Sequence, residues 1–122
     1  MKELTAATVQ NWLDAYLEAW RSCDAGSIGR LFTEDAAYRY HPGDDPIVGR
    51  EAIIADWQRS PDPPGSWTAA YSPWLVGGDR AIATGETSYA SGEEYWNVFQ
   101  LSFRDGRCCE FVEWFMTPRK AT

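Results

Sequence analysis

The stretch covering residues 67–116 constrains the fold more than any other. Four runs, "WTAAYSPWLV", "RAIATGETSY", "EYWNVFQLSF" and "RCCEFVEWFM", are rich in β-branched and aromatic residues. Turns containing Gly77-Gly78, Ser91-Gly92 and Asp105-Gly106 separate them. Runs of this length joined by short glycine turns pair as successive hairpins, so an antiparallel meander of four strands is expected. Such a sheet has an apolar face that must be covered.

The upstream half supplies the cover. Val9, Trp12, Leu13, Tyr16, Leu17, Trp20 and Cys23 recur at helical spacing and predict a helix over 5–23, capped by Thr5 or Thr8. Asp24-Ala25-Gly26-Ser27 breaks it. A short second helix is expected over 27–32 and a third over 49–59, the latter with Ile53, Ile54 and Trp57 on one side. "TEDAAYRYHP" reads as a brief strand centred on Ala37, Tyr38 and Tyr40, followed by a Pro/Gly/Asp loop over 42–46. "SPDPPGS" is a loop, because its prolines remove donors and forbid a helix; its composition marks it as a candidate mobile lid. Helices first and strands afterwards indicate an α+β fold, with three N-terminal helices on one face of a curved antiparallel sheet. A chain of 122 residues has room for one domain, 1–122, with a real core.

Composition removes several function classes. A net charge of −7 disfavours nucleic acid and anionic membranes, which call for clustered Lys and Arg. The three cysteines, Cys23, Cys108 and Cys109, are odd in number and include no C-x-x-C, arguing against a disulfide framework or a zinc site. Reduced thiols point to a cytoplasmic protein. No leader or membrane-length apolar segment is visible. His41 is the single histidine, so no metal site is expected, and no cofactor.

Hairpin register decides which side chains share a face. For the last turn, a two-residue loop pairs Arg104 with Arg107 and Asn97 with Trp114. A three-residue loop, Arg104-Asp105-Gly106, pairs Phe103 with Arg107 and Asn97 with Glu113. The second is favoured, because it gathers Tyr95, Asn97, Phe99, Leu101, Phe111, Glu113 and Phe115 on one face and avoids apposed arginines. The same register at the turn before it pairs Tyr95 with Thr87, Asn97 with Gly85 and Phe99 with Ala83, leaving a hollow over Gly85. A shift of one would bring Glu86 beside Asn97 instead. The other face, with Trp96, Val98, Gln100, Val112, Trp114 and Met116, is too apolar for free solvent. It predicts a homodimer through the outer sheet face, around Trp96, Val98, Val112 and Trp114.

Glu113 is the leading chemical candidate. A carboxyl facing an apolar interior has a raised pKa and serves as a general acid or base. The bland alternative is a buried glutamate satisfied by Asn97, Tyr16 or a backbone amide. Asn97 is placed to hold it, and Tyr16 to donate to a ligand oxygen. Trp12, Tyr40, Trp57, Tyr95 and Phe99 are expected to line the ligand pocket. His41 belongs to the rim if Tyr40 points inward, and to the pocket if Tyr40 points outward.

The segment "YLEAWRSCDAGSIGRLFTEDAAYRY", then "GREAI", then four strands ending "FRDGRCCEFVEWF", resembles the nuclear transport factor 2-like superfamily, in its SnoaL-like and ketosteroid isomerase-like branches. The likeness spans nearly the whole chain. It implies a cystatin-like cone with a pocket at its open end, and frequent homodimers. Members include isomerases, cyclases, dehydratases, epoxide hydrolases and non-catalytic adaptors, so fold does not select function. Placed on the steroid isomerase pattern, the first-helix tyrosine falls on Tyr16, with Asp24 ending that helix. The general-base aspartate falls on Tyr40 and the second acid on Phe99. Both acids are lost, which argues against that chemistry. The expected function is binding of a small apolar or aromatic molecule, with cofactor-independent isomerase, cyclase or hydrolase activity. The alternative is a non-catalytic ligand-binding or protein-interaction module.

Overall fold

A computed structural model describes residues 3–118. Helix α1 (Ala6–Ser22) opens on a reciprocal cap: the Thr8 amide donates to Thr5 Oγ1 at 3.1 Å and the Thr5 amide to Thr8 Oγ1 at 2.9 Å. It ends at Cys23, whose φ of 52° is left-handed. The predicted stripe is the buried one, with Val9, Leu13, Tyr16 and Leu17 against the sheet. Helix α2 (Ala25–Gly29) starts earlier than expected. Asp24 does more than break α1: its Oδ2 accepts from the Ser27 amide at 2.8 Å and so caps α2. Phe32, expected in that helix, begins the first strand instead.

The strands are β1 (Phe32–Arg39), β2 (Ile47–Val48), β3 (Trp67–Gly77), β4 (Arg80–Tyr89), β5 (Glu94–Arg104) and β6 (Arg107–Met116). Helix α3 (Arg50–Arg59) lies between β2 and β3 and starts after Gly49, whose φ is 98°. The strands form one six-stranded, unclosed, curved sheet in the order β2-β1-β6-β5-β4-β3. The meander from β3 to β6 is as the glycine turns predict. The β2 strand and the parallel pairing of β1 with β6 are not. Parallel pairing is long-range, and no local turn announces it. The result is an α+β cone, with the helices against the concave side of the sheet. Its core joins Val9, Leu13, Ile28, Phe32, Phe99 and Phe111. Among the described residues no helix is long and apolar enough to cross a membrane.

The β4–β5 register is the expected one: Thr87 faces Tyr95, Gly85 faces Asn97 and Ala83 faces Phe99. The β5–β6 register is a correction. Arg104 pairs with Arg107 across a two-residue turn, with Asp105 (φ 54°) and Gly106 (φ 79°) both left-handed. The apposed arginines are tolerated because Arg104 turns away to form an ion pair with Asp35 of β1. One step later the ladder bulges: Phe103 pairs with Cys108 but Ser102 with Glu110, leaving Cys109 as the extra residue. The bulge restores the inward face that the three-residue loop predicted. Tyr95, Asn97 and Phe99 share it with Phe111, Glu113 and Phe115, but Asn97 now lies opposite Phe115 and Phe99 opposite Glu113.

Candidate functional site

The open end of the cone holds a cavity of about 690 Å³. Every tyrosine in the chain lines it: Tyr16 from α1, Tyr38 on β1, Tyr40 just beyond, Tyr71 from β3, Tyr89 from β4 and Tyr95 from β5. Glu113, Asn97 and Thr87 make up part of the sheet wall, and Asp56, Trp57 and the 60–62 loop complete the helical side.

A chain of hydrogen bonds crosses the sheet wall in one direction. Thr87 Oγ1 donates to Asn97 Oδ1 at 2.9 Å. A hydroxyl has one proton, so Tyr71, bonded to Thr87 Oγ1, is the donor in that pair. Asn97 Nδ2 then donates to Glu113 Oε2 at 3.0 Å. Asn97 is thereby fixed in one amide orientation, and a single Glu113 oxygen is engaged. Burial pushes the Glu113 carboxyl up to about 7, opposed by the Asn97 bond and by the positive potential of His41. The surrounding phenols remain protonated: burial raises Tyr16 and Tyr38 well above the ordinary phenol value, and Tyr89 to about 12. Tyr16 and Tyr38 bring their hydroxyls to 3.5 Å of one another.

Several wall groups are tied to one another at the rim. Tyr40 OH donates to Asp56 Oδ2 at 2.7 Å and Tyr95 OH to Glu93 Oε2 at 2.6 Å. Trp20, stacked on Trp67 at 3.5 Å, donates its Nε1 to Asp62 Oδ2 at 2.9 Å, which fastens the proline loop to α1. His41 lies outside the lining, exposed, with Nδ1 at 3.0 Å from Asp44 Oδ2 and its ring 4.9 Å from Phe115.

Of the residues singled out by sequence, Glu113, Tyr16, Asn97, Tyr40, Trp57 and Tyr95 are brought together in the cavity wall. Trp12 and Phe99 are not. Trp12 lies a turn deeper in α1, where its Nε1 donates to the Leu31 carbonyl at 3.0 Å and its ring packs edge-on against Phe32 and Phe103. Phe99 is 1% exposed, covered by Tyr71 and Tyr16. The expected hollow over Gly85 is also absent, because Tyr71 fills it: a Cβ on Gly85 would meet Tyr71 Cδ1 at 2.4 Å. Tyr38, Tyr71, Tyr89, Thr87 and Asp56 were not singled out by sequence as lining residues. Tyr38 was legible, being two residues from Tyr40 on the same strand face. Thr87 was legible through its pairing with Tyr95. Tyr71 and Asp56 required knowing how β3 and α3 sit on the cone. Among the described residues no group of three or more His, Cys, Asp or Glu side chains is arranged to hold a metal ion.

The architecture has many counterparts. An NTF-2 like protein of unknown function from Burkholderia xenovorans superposes with a TM-score of 0.75 at 22% identity, over 95% of this chain and 88% of that one. A candidate ketosteroid isomerase from Kribbella flavida gives 0.73 at 17% identity, over 96% and 84%. An LEH-like epoxide hydrolase from M. tuberculosis gives 0.69 at 15% identity, over 91% and 84%. At these identities the likeness is one of fold. No curated protein sequence matches the chain. The family model of the SnoaL-like domain matches residues 13–111, most of the chain, from within α1 to Phe111 of β6. The chain therefore belongs to the SnoaL-like domain family.

Proposed function

We propose that the cavity binds a small apolar or aromatic molecule and that Glu113 moves a proton on it, without a cofactor. The observation that carries this reading is a carboxyl whose burial brings it to about 7, held by a one-way chain of hydrogen bonds at the wall of an aromatic cavity. A group poised there is divided between its acid and base forms at neutral pH, as proton transfer requires. Asn97 is the positioning residue. Tyr16, kept protonated by burial, is the donor to a ligand oxygen. Isomerisation, and hydrolysis by an activated water, both fit this set, and both activities are named among the fold's relatives.

The test uses 5-nitrobenzisoxazole, a neutral aromatic whose ring opens when a base removes its carbon-bound proton. The protein is expected to accelerate opening, with a rate that rises through about pH 7. Glu113→Gln should lose about 100-fold or more of that rate. Opening no faster than with free carboxylate at equal concentration would overturn the catalytic reading. Intact calorimetric binding of the same molecule would then favour a non-catalytic ligand binder.

We further propose that a second copy of the chain covers the outer sheet face. Trp96 is 54% exposed and Trp114 46% exposed, beside Val98, Val112 and Met116, with Gln100 among them accepting from Trp114 Nε1 at 2.7 Å. A twofold apposition would bury this patch against itself. Light scattering should give a dimer, and Trp114→Glu a monomer. A native monomer unchanged by that substitution would refute the interface.

A further inference from the structure

The same cavity is rich in hydrogen-bond acceptors and poor in donors. A phenol carries one proton, and the protons of Tyr40, Tyr71 and Tyr95 are already committed to Asp56, Thr87 and Glu93. What those oxygens offer a ligand is lone pairs. The Trp20 indole N–H is committed to Asp62, the Thr87 hydroxyl to Asn97 and one Asn97 N–H to Glu113. One proton from the Tyr16–Tyr38 pair, the Tyr89 and Ser60 hydroxyls, the second Asn97 N–H and the buried Trp57 Nε1 remain as donors, none of them charged.

Charge points the same way. Asp56, Asp62, Glu93 and Glu113 line the cavity against a single basic residue, Arg59. Arg59 is itself exposed and engaged with Asp56 at 3.5 Å. Among the described residues, neither Asp62, Glu93 nor Glu113 forms an ion pair. A ligand bearing a carboxylate or phosphate would meet repulsion and few donors. An ammonium would meet acceptors, carboxylates and electron-rich rings, the three features that compensate a cation for lost water. The chain's net charge of −7 favours its approach.

We propose that the cavity takes an organic cation, an ammonium or guanidinium group carried on an apolar or aromatic body. The inference rests on the reading of the cavity as a ligand site. It adds that the ligand's charge is positive and that Asp62, Glu93 and Glu113 are the counter-charges.

Calorimetry with three molecules of one shape tests it: 2-phenylethylammonium, the neutral 2-phenylethanol and the anionic 3-phenylpropionate, at low salt and about pH 8, where Glu113 is ionised. The ammonium is expected to bind about tenfold or more tighter than the alcohol, and the carboxylate weakest. Glu113→Gln should weaken the ammonium several-fold and leave the alcohol nearly unchanged. Asp62→Asn, in the proline loop and away from the core, should do the same and guards against a folding defect in the first variant. An alcohol that binds as tightly as the ammonium overturns the cation assignment while leaving a ligand cavity in place. Failure of all three to bind overturns both readings.

Discussion

Asn97 and Glu113 are hydrogen-bonded at 3.0 Å without being cross-strand partners. Asn97 faces Phe115 and Glu113 faces Phe99, so the bond runs diagonally across β5 and β6. Diagonal neighbours on one face lie within reach of long side chains, and the extra residue at Cys109 puts these two on one face. Deleting Cys109 should therefore be far worse than replacing it. Deletion would turn Phe111 and Glu113 outward and drive Val112 and Trp114 into the core, so no cooperative thermal transition is expected. Cys109→Ala keeps the residue count and should cost no more than about 1 kcal/mol. A native-like melt from the deletion variant would show that the bulge does not set the register.

Asn97 lowers the Glu113 pKa while burial raises it. Asn97→Ala removes the opposing contribution, so the carboxyl should titrate above its present value of about 7. Carbon-detected NMR of the glutamate side chains would follow it. The variant also strips Thr87 Oγ1 of its acceptor, and a buried polar group left unpaired costs about 1–3 kcal/mol. A Glu113 pKa that stays put or falls in Asn97→Ala would remove Asn97 as the positioning group.

Much of this arrangement could be read from the sequence, for local reasons. Threonine caps, the helical stripe from Val9 to Leu17 and the glycine turns all act over a few residues. They placed α1, α3 and the four-strand meander. The inward membership of Asn97 and Glu113 was also legible, because the crowding of Phe99, Phe111 and Phe115 admits one parity. The expected loop, however, was wrong by two residues in pairing. The two errors, a shorter turn and an unforeseen bulge, cancel in parity. A bulge at Cys109 leaves no mark in a run as uniformly β-forming as "RCCEFVEWF". Trp12 and Phe99 were misplaced for a different reason. Periodicity tells which face of an element is apolar, not how far along the cone each residue sits. That depth is set by long-range packing, including the parallel β1–β6 pair.

Gly85 lies under the Tyr71 ring, and its missing Cβ is what allows the two strands to carry that ring so close. A methyl there would sit 2.0 Å from the Ala70 carbonyl oxygen and 2.4 Å from Tyr71 Cδ1. The first of these is backbone and has no rotamer to escape into. Gly85→Ala is expected to cost about 3 kcal/mol or more and to release Tyr71 from Thr87, breaking the bond chain at its head. Denaturant unfolding would measure the cost. A loss below about 1 kcal/mol would mean that β3 can move off Gly85 freely.

Glu113 also makes stability depend on pH in a direction opposite to most carboxylates. The folded protein holds its proton up to about pH 7, whereas a glutamate in the unfolded chain releases it near about 4.3. Between those values the folded state binds more protons. Its stability therefore falls as pH rises through that window, then levels off once Glu113 is ionised in both states. The contribution is fully present below about pH 4 and is worth roughly 3–4 kcal/mol in all. The other groups facing Glu113 are the tyrosines of α1, β1, β3 and β4, which stay neutral across this range, and His41 at the rim. Asp24 and Asp35, whose pKa values are lowered by hydrogen bonds, act with the opposite sign and at lower pH. Subtracting the curve of Glu113→Gln from that of the native chain removes them. The difference should favour the native chain most at the acid end and decline by about 3–4 kcal/mol between about pH 4 and pH 8. A flat difference would place Glu113 in solvent, and with it would go the poised acid/base at the centre of the cavity.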